Sequence, residues 1–270
     1  MPSPVSPAEA PLRFARRTPE LAGMVDEIIG YRENGVGIVG AIEMAALVVP
    51  FIVSFGDSFA IGLGKPPGAD DRFGSFTSGL FAGPVVINSS GHAACIQVNF
   101  TPLGAWRFFG MPMDELADRM VPLDDLGDPE FEPLRQRLWE EPDWQRRLDV
   151  MQRFVTQRLL RARSADPALG WAYDHMLARS GDVQIAEIAG RLDWSRKHLV
   201  HRFREQLGLP PKAIARMIRF QAALAMARSP ENSGWADIAA ACGYADQAHF
   251  TRDFREFSGM SPSGWRAGTA

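Results

Sequence analysis

The stretch IAEIAGRLDWSRKHLVHRFREQLGLPP, residues 185–211, is written a second time as WADIAAACGYADQAHFTRDFREFSGMSP, residues 235–262. The first ten residues of each copy align with an offset of 50, and the rest align with an offset of 51 because Ala245 is inserted. A repeat is interpreted before its separate elements, since a missed repeat misassigns the fold. Two copies are too few for a solenoid, so the sequence predicts one duplicated supersecondary unit.

Each copy has the pattern of a helix-turn-helix. Its first helix is short and carries small apolar residues on one face, which lets another helix cross it closely. Ser195 and Asp246 are good N-caps for the second helix of each copy. Apolar residues four positions apart in that second helix should point inward. The residues predicted to be buried are Ile188, Leu199, Phe203, Ile238, Phe250 and Phe254.

The opposite face of each second helix carries side chains that can reach base edges and phosphates in a DNA major groove. We predict DNA binding by Arg196, Lys197, Val200, His201 and Arg204 in the first copy, and by Gln247, Ala248, Thr251, Arg252 and Arg255 in the second. For Arg252 an alternative stays open, because Asp253 and Glu256 on the same helix could bind its guanidinium instead.

Residues 167–267 resemble the paired helix-turn-helix DNA-binding domain of AraC/XylS-type transcription regulators. The stretch IAAACGYADQAHFTRDFREFSGMSPSGWR, residues 238–266, matches that family's signature nearly throughout. The resemblance implies that a helix over residues 211–228 holds two recognition helices roughly 34 Å apart, one turn of DNA. It also implies that Lys197, Val200 and His201 face base edges.

The charge of the chain is divided unevenly. The 270 residues have a net charge of −3, yet residues 181–270 carry 12 Lys/Arg against 9 Asp/Glu and the rest is acidic, at −6. This division fits a basic DNA-reading part joined to an acidic part with another role. No apolar run reaches the length of a membrane span and the N-terminus lacks a signal-peptide core, so we expect a cytoplasmic protein without a membrane partner.

Together with the rest of the sequence, this predicts an α+β chain with a β-rich part followed by helical parts. Proline and polar residues over 1–19 predict a flexible arm, and residues 20–165 should form a regulatory domain. Within it, short apolar runs separated by glycine predict a small β-barrel or sandwich over 31–101, followed by helices over 102–165. The DNA-binding domain is expected over 166–270, with helix-turn-helix units at 184–206 and 235–257.

The N-terminal part is also similar, though less closely, to the regulatory domains of AraC-type regulators. The segment VNFTPLGAWRFFGMPMDELADRMVPLDDL, residues 98–126, carries this resemblance, which implies a cupin-like barrel followed by helices. Sites that bind apolar effectors are lined by aromatic and aliphatic side chains like those of this part, and a solid core is filled by the same kinds of side chain. Both interpretations stay open for Phe51, Phe55, Phe59, Phe76, Phe81 and Phe100.

Catalytic chemistry finds little support in the sequence. The predicted barrel contains a single histidine, His92, and no recognisable nucleophile motif, so we predict no enzyme activity, no metal and no cofactor. The sequence thus predicts a sequence-specific regulator that binds double-stranded DNA and is controlled by a small-molecule effector. An enzyme with an appended DNA-binding part and a regulator without an effector are the alternatives. Binding to RNA polymerase or to a second copy of the chain stays open.

Overall fold

The computed structural model describes residues 11–229 and 234–269, with β-sheets in the N-terminal half and helices in the C-terminal half. The strands are β1 (Leu12–Arg16), β2 (Val25–Arg32), β3 (Ala41–Glu43), β4 (Val49–Ser54), β5 (Phe59–Leu63), β6 (Arg72–Phe73), β7 (Phe76–Ser78), β8 (Val85–Asn88), β9 (Ala94–Phe100) and β10 (Met120–Pro122). The helices are α1 (Pro102–Phe109), α2 (Phe131–Glu140), α3 (Trp144–Arg161), α4 (Pro167–Ala178), α5 (Ile185–Arg191), α6 (Arg196–Leu207), α7 (Pro211–Arg228), α8 (Trp235–Ala241), α9 (Gln247–Ser258) and α10 (Pro262–Thr269).

The strands form two sheets that share a small core. The larger sheet has the order β1-β2-β9-β4-β7-β10 and the smaller has the order β3-β8-β5-β6, with antiparallel pairs throughout. Successive side chains of a strand point to opposite faces. Accordingly Phe51 and Val53 join the main core with the helices, whereas Ile52 joins the second core with Phe59 and Ile61 of the smaller sheet.

The predicted barrel is wrong, because the described residues form two separate sheets. A closed barrel needs a hydrogen-bonded ladder that continues from strand to strand around the whole circle. Here the edge strands of the smaller sheet, β3 and β6, have only three and two residues, and each pairs with one neighbour in its own sheet. Helices α1 to α3 pack on the other face of the larger sheet.

The arm predicted over residues 1–19 also needs correction. Residues 1–10 lie outside the described residues, but residues 12–16 form β1 and pair with β2. The side chains of this strand are held by α3, because Phe14 stacks on Trp144 with ring centroids 5.6 Å apart and Arg16 forms an ion pair with Asp149. These partners lie about 130 residues away in the sequence, which is why local composition alone indicated a free arm.

Helices follow the strands as predicted, but one further strand, β10, lies among them. Strand β10 interrupts the helical part and pairs with β7, placing Val121 opposite Thr77.

The aromatic residues whose role stayed open do not form a common lining. Phe51 and Phe100 are fully buried and pack on Phe108, at centroid distances of 5.0 and 4.5 Å, so these two residues fill the core.

The duplicated pattern is present in the structure with the spacing read from the sequence. Helices α5 and α8 begin 50 residues apart, whereas α6 and α9 begin 51 residues apart, because the second turn contains the extra Ala245. The predicted N-caps are confirmed, since the side chains of Ser195 and Asp246 accept hydrogen bonds from the backbone N–H groups of His198 and His249. The six residues predicted to be buried are at most 1% exposed.

Candidate nucleic-acid interface

The candidate DNA-binding residues lie on the outer faces of α6 and α9. The structure exposes Arg196, Lys197, His201 and Arg204 on α6, and Gln247, Ala248, Arg252 and Arg255 on α9. Val200 and Thr251 occupy equivalent positions, 51 residues apart, and both are half-buried. The inner faces carry Leu199 and Phe203 on α6 and Phe250 and Phe254 on α9, all fully buried. Each helix therefore has one anchored face and one open polar face.

The tight turns that lead into these helices have the same backbone conformation. Asp193 in the first turn has a φ of 53°, and Gly243, its equivalent, has a φ of 70°. A left-handed φ is costly for most residues, though glycine adopts it freely and aspartate tolerates it. At Gly243 a Cβ would lie 2.7 Å from the carboxyl carbon of Asp182, an exposed side chain that can move aside, so the left-handed φ is the reason for glycine there.

The alternative partners of Arg252 are occupied by another arginine. Arg216, on the linking helix α7, donates to Asp253 at 2.8 Å and to Glu256 at 2.5 Å. The side chain of Asp253 is only 2% exposed. Among the residues that the structure describes, Arg252 forms no ion pair of its own. Sequence reasoning missed Arg216, since only the crossing of α7 and α9 brings it to these carboxylates.

The equivalent contact in the first copy ties α6 to the start of the C-terminal half. Arg202 occupies the position that corresponds to Asp253, and it donates to Asp166 at 3.0 Å and also binds Glu205. The backbone N–H of Asp166 donates to the Gln206 side chain at 3.4 Å. These bonds fasten the segment between α3 and α4 to α6, so the two halves are not joined by a free tether.

An acidic edge of the N-terminal half lies beside His201. An open cleft of about 400 Å³ is lined by Pro112, Asp114, Glu115, His201 and Glu205. Three of these five residues carry carboxyl groups. A residue expected to contact DNA therefore lies next to a cluster of negative charge that would repel phosphate.

A metal site would depend on the side chains of the described residues, 11–229 and 234–269, and a membrane span on their helices. In this part of the chain, no group of three His, Cys, Asp or Glu side chains is arranged to hold a metal ion. No helix there is long and apolar enough to cross a membrane.

Two helix-turn-helix units, joined by α7 and each with one exposed polar face, place the C-terminal half in the helix-turn-helix class of folds. Residues 188–268 match the family described as "Helix-turn-helix domain", and residues 47–122 match a "Domain of unknown function (DUF6597)". The C-terminal part of the chain is therefore similar to AraC-type helix-turn-helix domains.

Similar proteins include one from Haemophilus influenzae, called an uncharacterized HTH-type transcriptional regulator. It is 28% identical over 118 residues, which are 43% of this chain and 39% of the relative, so this chain spans well under half of the relative's length. Among solved structures, the C-terminal domain of AraT, a response regulator from Geobacillus stearothermophilus, is 23% identical, with a TM-score of 0.37 over 39% of this chain and 88% of that one. ToxT from Vibrio cholerae is 12% identical, with a TM-score of 0.44 over 96% of this chain and 97% of that one.

Proposed function

We propose that the protein is a sequence-specific DNA-binding regulator of transcription that places α6 and α9 in successive major-groove segments of one duplex. One observation carries this proposal: two helices of twelve residues expose polar faces at equivalent positions while their inner faces are buried. A recognition helix needs both properties, since a buried face fixes its angle and an open face reaches the bases. The linking helix α7 packs on α6, α8 and α9 and joins the two units.

The proposed readout differs between the two helices. Lys197, Val200 and His201 face base edges in the first unit, where Val200 offers an apolar surface to a thymine methyl group. In the second unit, Gln247 pairs with adenine and Arg252 with guanine, which are the bases that these side chains can bind through two hydrogen bonds. Ala248 is small, so α9 reads fewer bases than its length allows.

Selection of binding sites from random DNA tests this assignment. We expect Arg252→Ala and His201→Ala each to relax the preference at one base step by about 1–3 kcal/mol, because each removes one base contact. Arg137→Ala is the matched control for Arg252→Ala, since Arg137 is an exposed arginine on α2 and its loss changes the net charge equally. An unchanged base preference in both variants would show that neither Arg252 nor His201 contacts the bases.

The N-terminal half is proposed to regulate binding without contacting DNA. Residues 1–180, most of which belong to this half, carry a net charge of −6, which is of the sign that phosphates repel. A small-molecule effector that binds one arrangement of the halves better than another would change DNA affinity, and DNA would then change effector affinity by the same factor. A second copy of the chain and RNA polymerase are the other proposed partners, and sedimentation of the protein with operator DNA, with and without polymerase, measures both.

The acidic edge beside His201 gives a charge prediction. Replacing Asp114 by Asn and Glu115 by Gln in one variant removes two negative charges next to α6. We expect DNA affinity to rise by about fivefold at low salt, from roughly 1 kcal/mol of lost repulsion. The gain should shrink as added salt screens the charges.

The control for this variant is the change of Asp124 and Asp125 to Asn. Both residues are exposed in the N-terminal half and neither lines the cleft at His201. Titrations across a salt series compare the two variants with the parent. Equal affinities for all three proteins would show that the carboxylates at the cleft do not act on bound DNA.

A further inference from the structure

Both recognition helices end at glycines that lie against the N-terminal half. Gly208 ends α6 and Gly259 ends α9, at equivalent positions 51 residues apart, with φ values of 87° and 76°. In each, the glycine N–H donates to the carbonyl four residues earlier and closes the helix. A left-handed C-cap of this kind is common in helices. In both units this C-cap glycine also lies against the N-terminal half.

The first contact joins α6 to the short 3-10 turn Met113–Glu115. A Cβ placed on Gly208 would lie 3.2 Å from the Met113 carbonyl oxygen and 3.6 Å from the Ala117 Cβ. Met113 is 1% exposed, and Leu207 beside the glycine is fully buried. This end of α6 is therefore packed directly on the N-terminal half.

The second contact joins the corresponding end of α9 to two loops of the N-terminal half. The backbone N–H of Ala45 donates to the Phe257 carbonyl at 2.9 Å, and both residues are buried. A Cβ placed on Gly259 would lie 3.2 Å from Cγ of the Pro84 ring. Thus different loops of the same half hold equivalent ends of both recognition helices.

These contacts leave the opposite ends of the helices open. The N-caps Ser195 and Asp246 are exposed, as are Lys197 and Gln247 one or two positions further on. Docking of the N-terminal half at the C-terminal ends is therefore compatible with base reading at the other ends. The contacts can fix how the helices are placed without covering the surface that reads DNA.

Small movements at these ends matter because the helices are short rods. Twelve residues span about 18 Å, so a tilt of roughly 10° about the C-terminal end displaces the N-terminal end by about 3 Å. One base pair advances the duplex by about 3.4 Å. A tilt of this size, produced by a changed contact at the C-cap, thus moves the DNA-facing end of the helix by about one base pair.

We propose that Ala45, Pro84, Met113 and Ala117 are positioning residues that fix the separation at which the two recognition helices read DNA. Because the N-terminal half holds both helices, a rearrangement within it alters the preferred spacing of the two half-sites. This inference rests on the proposed DNA-binding function and adds to it the means by which the acidic half acts on α6 and α9.

The test uses the full chain and a selected operator in two forms, one unaltered and one with a single base pair inserted between its half-sites. The parent should prefer the unaltered operator by roughly tenfold, the effect of one poor contact in the site. We expect the double variant Met113→Ala with Pro84→Ala to reduce this ratio by at least about threefold. Met120→Ala is the control, because Met120 packs in the second core and is not among the nearest neighbours of Gly208 or Gly259.

The affinity ratio, measured on one preparation, is independent of the fraction of protein that is folded. Pro84→Ala alone serves if the double variant does not fold, since Pro84 is half-buried and the change removes the ring atoms that lie against Gly259. A ratio equal to that of the parent in the folded variants overturns the positioning role while leaving the DNA-binding function intact. A parent that enriches no sequence from random DNA overturns both.

Discussion

Replacing Phe254 by Ala should lower the free energy of unfolding by about 3–5 kcal/mol, because the change leaves a cavity in a fully packed aromatic cluster. The Phe254 side chain is fully buried, and its ring lies 5.4 Å from that of Phe220, 5.6 Å from those of Trp235 and Phe250, and 6.1 Å from that of Trp265. These rings connect α7, α8, α9 and α10, so the loss should loosen the whole second unit. Denaturant unfolding of the full chain measures the change.

The matched variant in the first unit is Phe203→Ala, since Phe203 is equivalent to Phe254 and is also fully buried. Trp139→Ala is the control, because that side chain is 64% exposed and should cost less than about 0.5 kcal/mol. We expect each phenylalanine variant to lose affinity for the selected operator as well. A Phe254→Ala protein that unfolds like the parent and binds DNA normally would contradict the packing described here.

Replacing Arg216 by Met should cost about 3 kcal/mol, because it leaves the buried carboxylate of Asp253 without its partner. Arg216 donates to both Asp253 and Glu256 and lies 4.9 Å above the Phe257 ring. Hydrogen bonds to Glu256 and Asp253 raise the pKa of Arg216 above its usual value. Since a raised pKa keeps the base charged, its contribution to stability should persist across the neutral range and be lost only as the pH rises past that pKa.

A second change distinguishes a lost ion pair from general damage to α7. Adding Asp253→Asn to Arg216→Met removes the unpaired charge, so the double variant should recover part of the stability. Urea unfolding of the parent, the two single variants and the double variant gives the interaction energy. Strictly additive effects would show that Arg216 does not act through the carboxylate of Asp253.

The C-terminal half was largely predictable because its signals are local. Helical periodicity placed Phe203 and Phe254 inside, and the side-chain chemistry of Ser195 and Asp246 marked where the second helices begin. The repeat added an internal check, since each copy predicts the other. The assignment of individual side chains to bases stays a prediction, because it depends on a duplex that the chain alone does not define.

The N-terminal half was predictable only as a set of short strands followed by helices. Strands such as β4 and β9 were evident from their apolar runs, yet the same runs suit a barrel and a pair of sheets. Which strands pair is decided by contacts between distant segments, as when β1 is held by α3. The sequence pattern of a strand specifies its two faces but not the neighbour along its edge.

Local sequence patterns suffice to predict the two helix-turn-helix units, because caps, turns and buried faces depend on residues within about four positions of one another. Long-range packing sets the two sheets in place of the barrel, the pairing of Arg216 with Asp253, and the contacts of the ends of α6 and α9 with the N-terminal half. Each of these contacts joins residues that are far apart in the chain. Their geometry follows from how whole elements pack together, which no local pattern of residue types encodes.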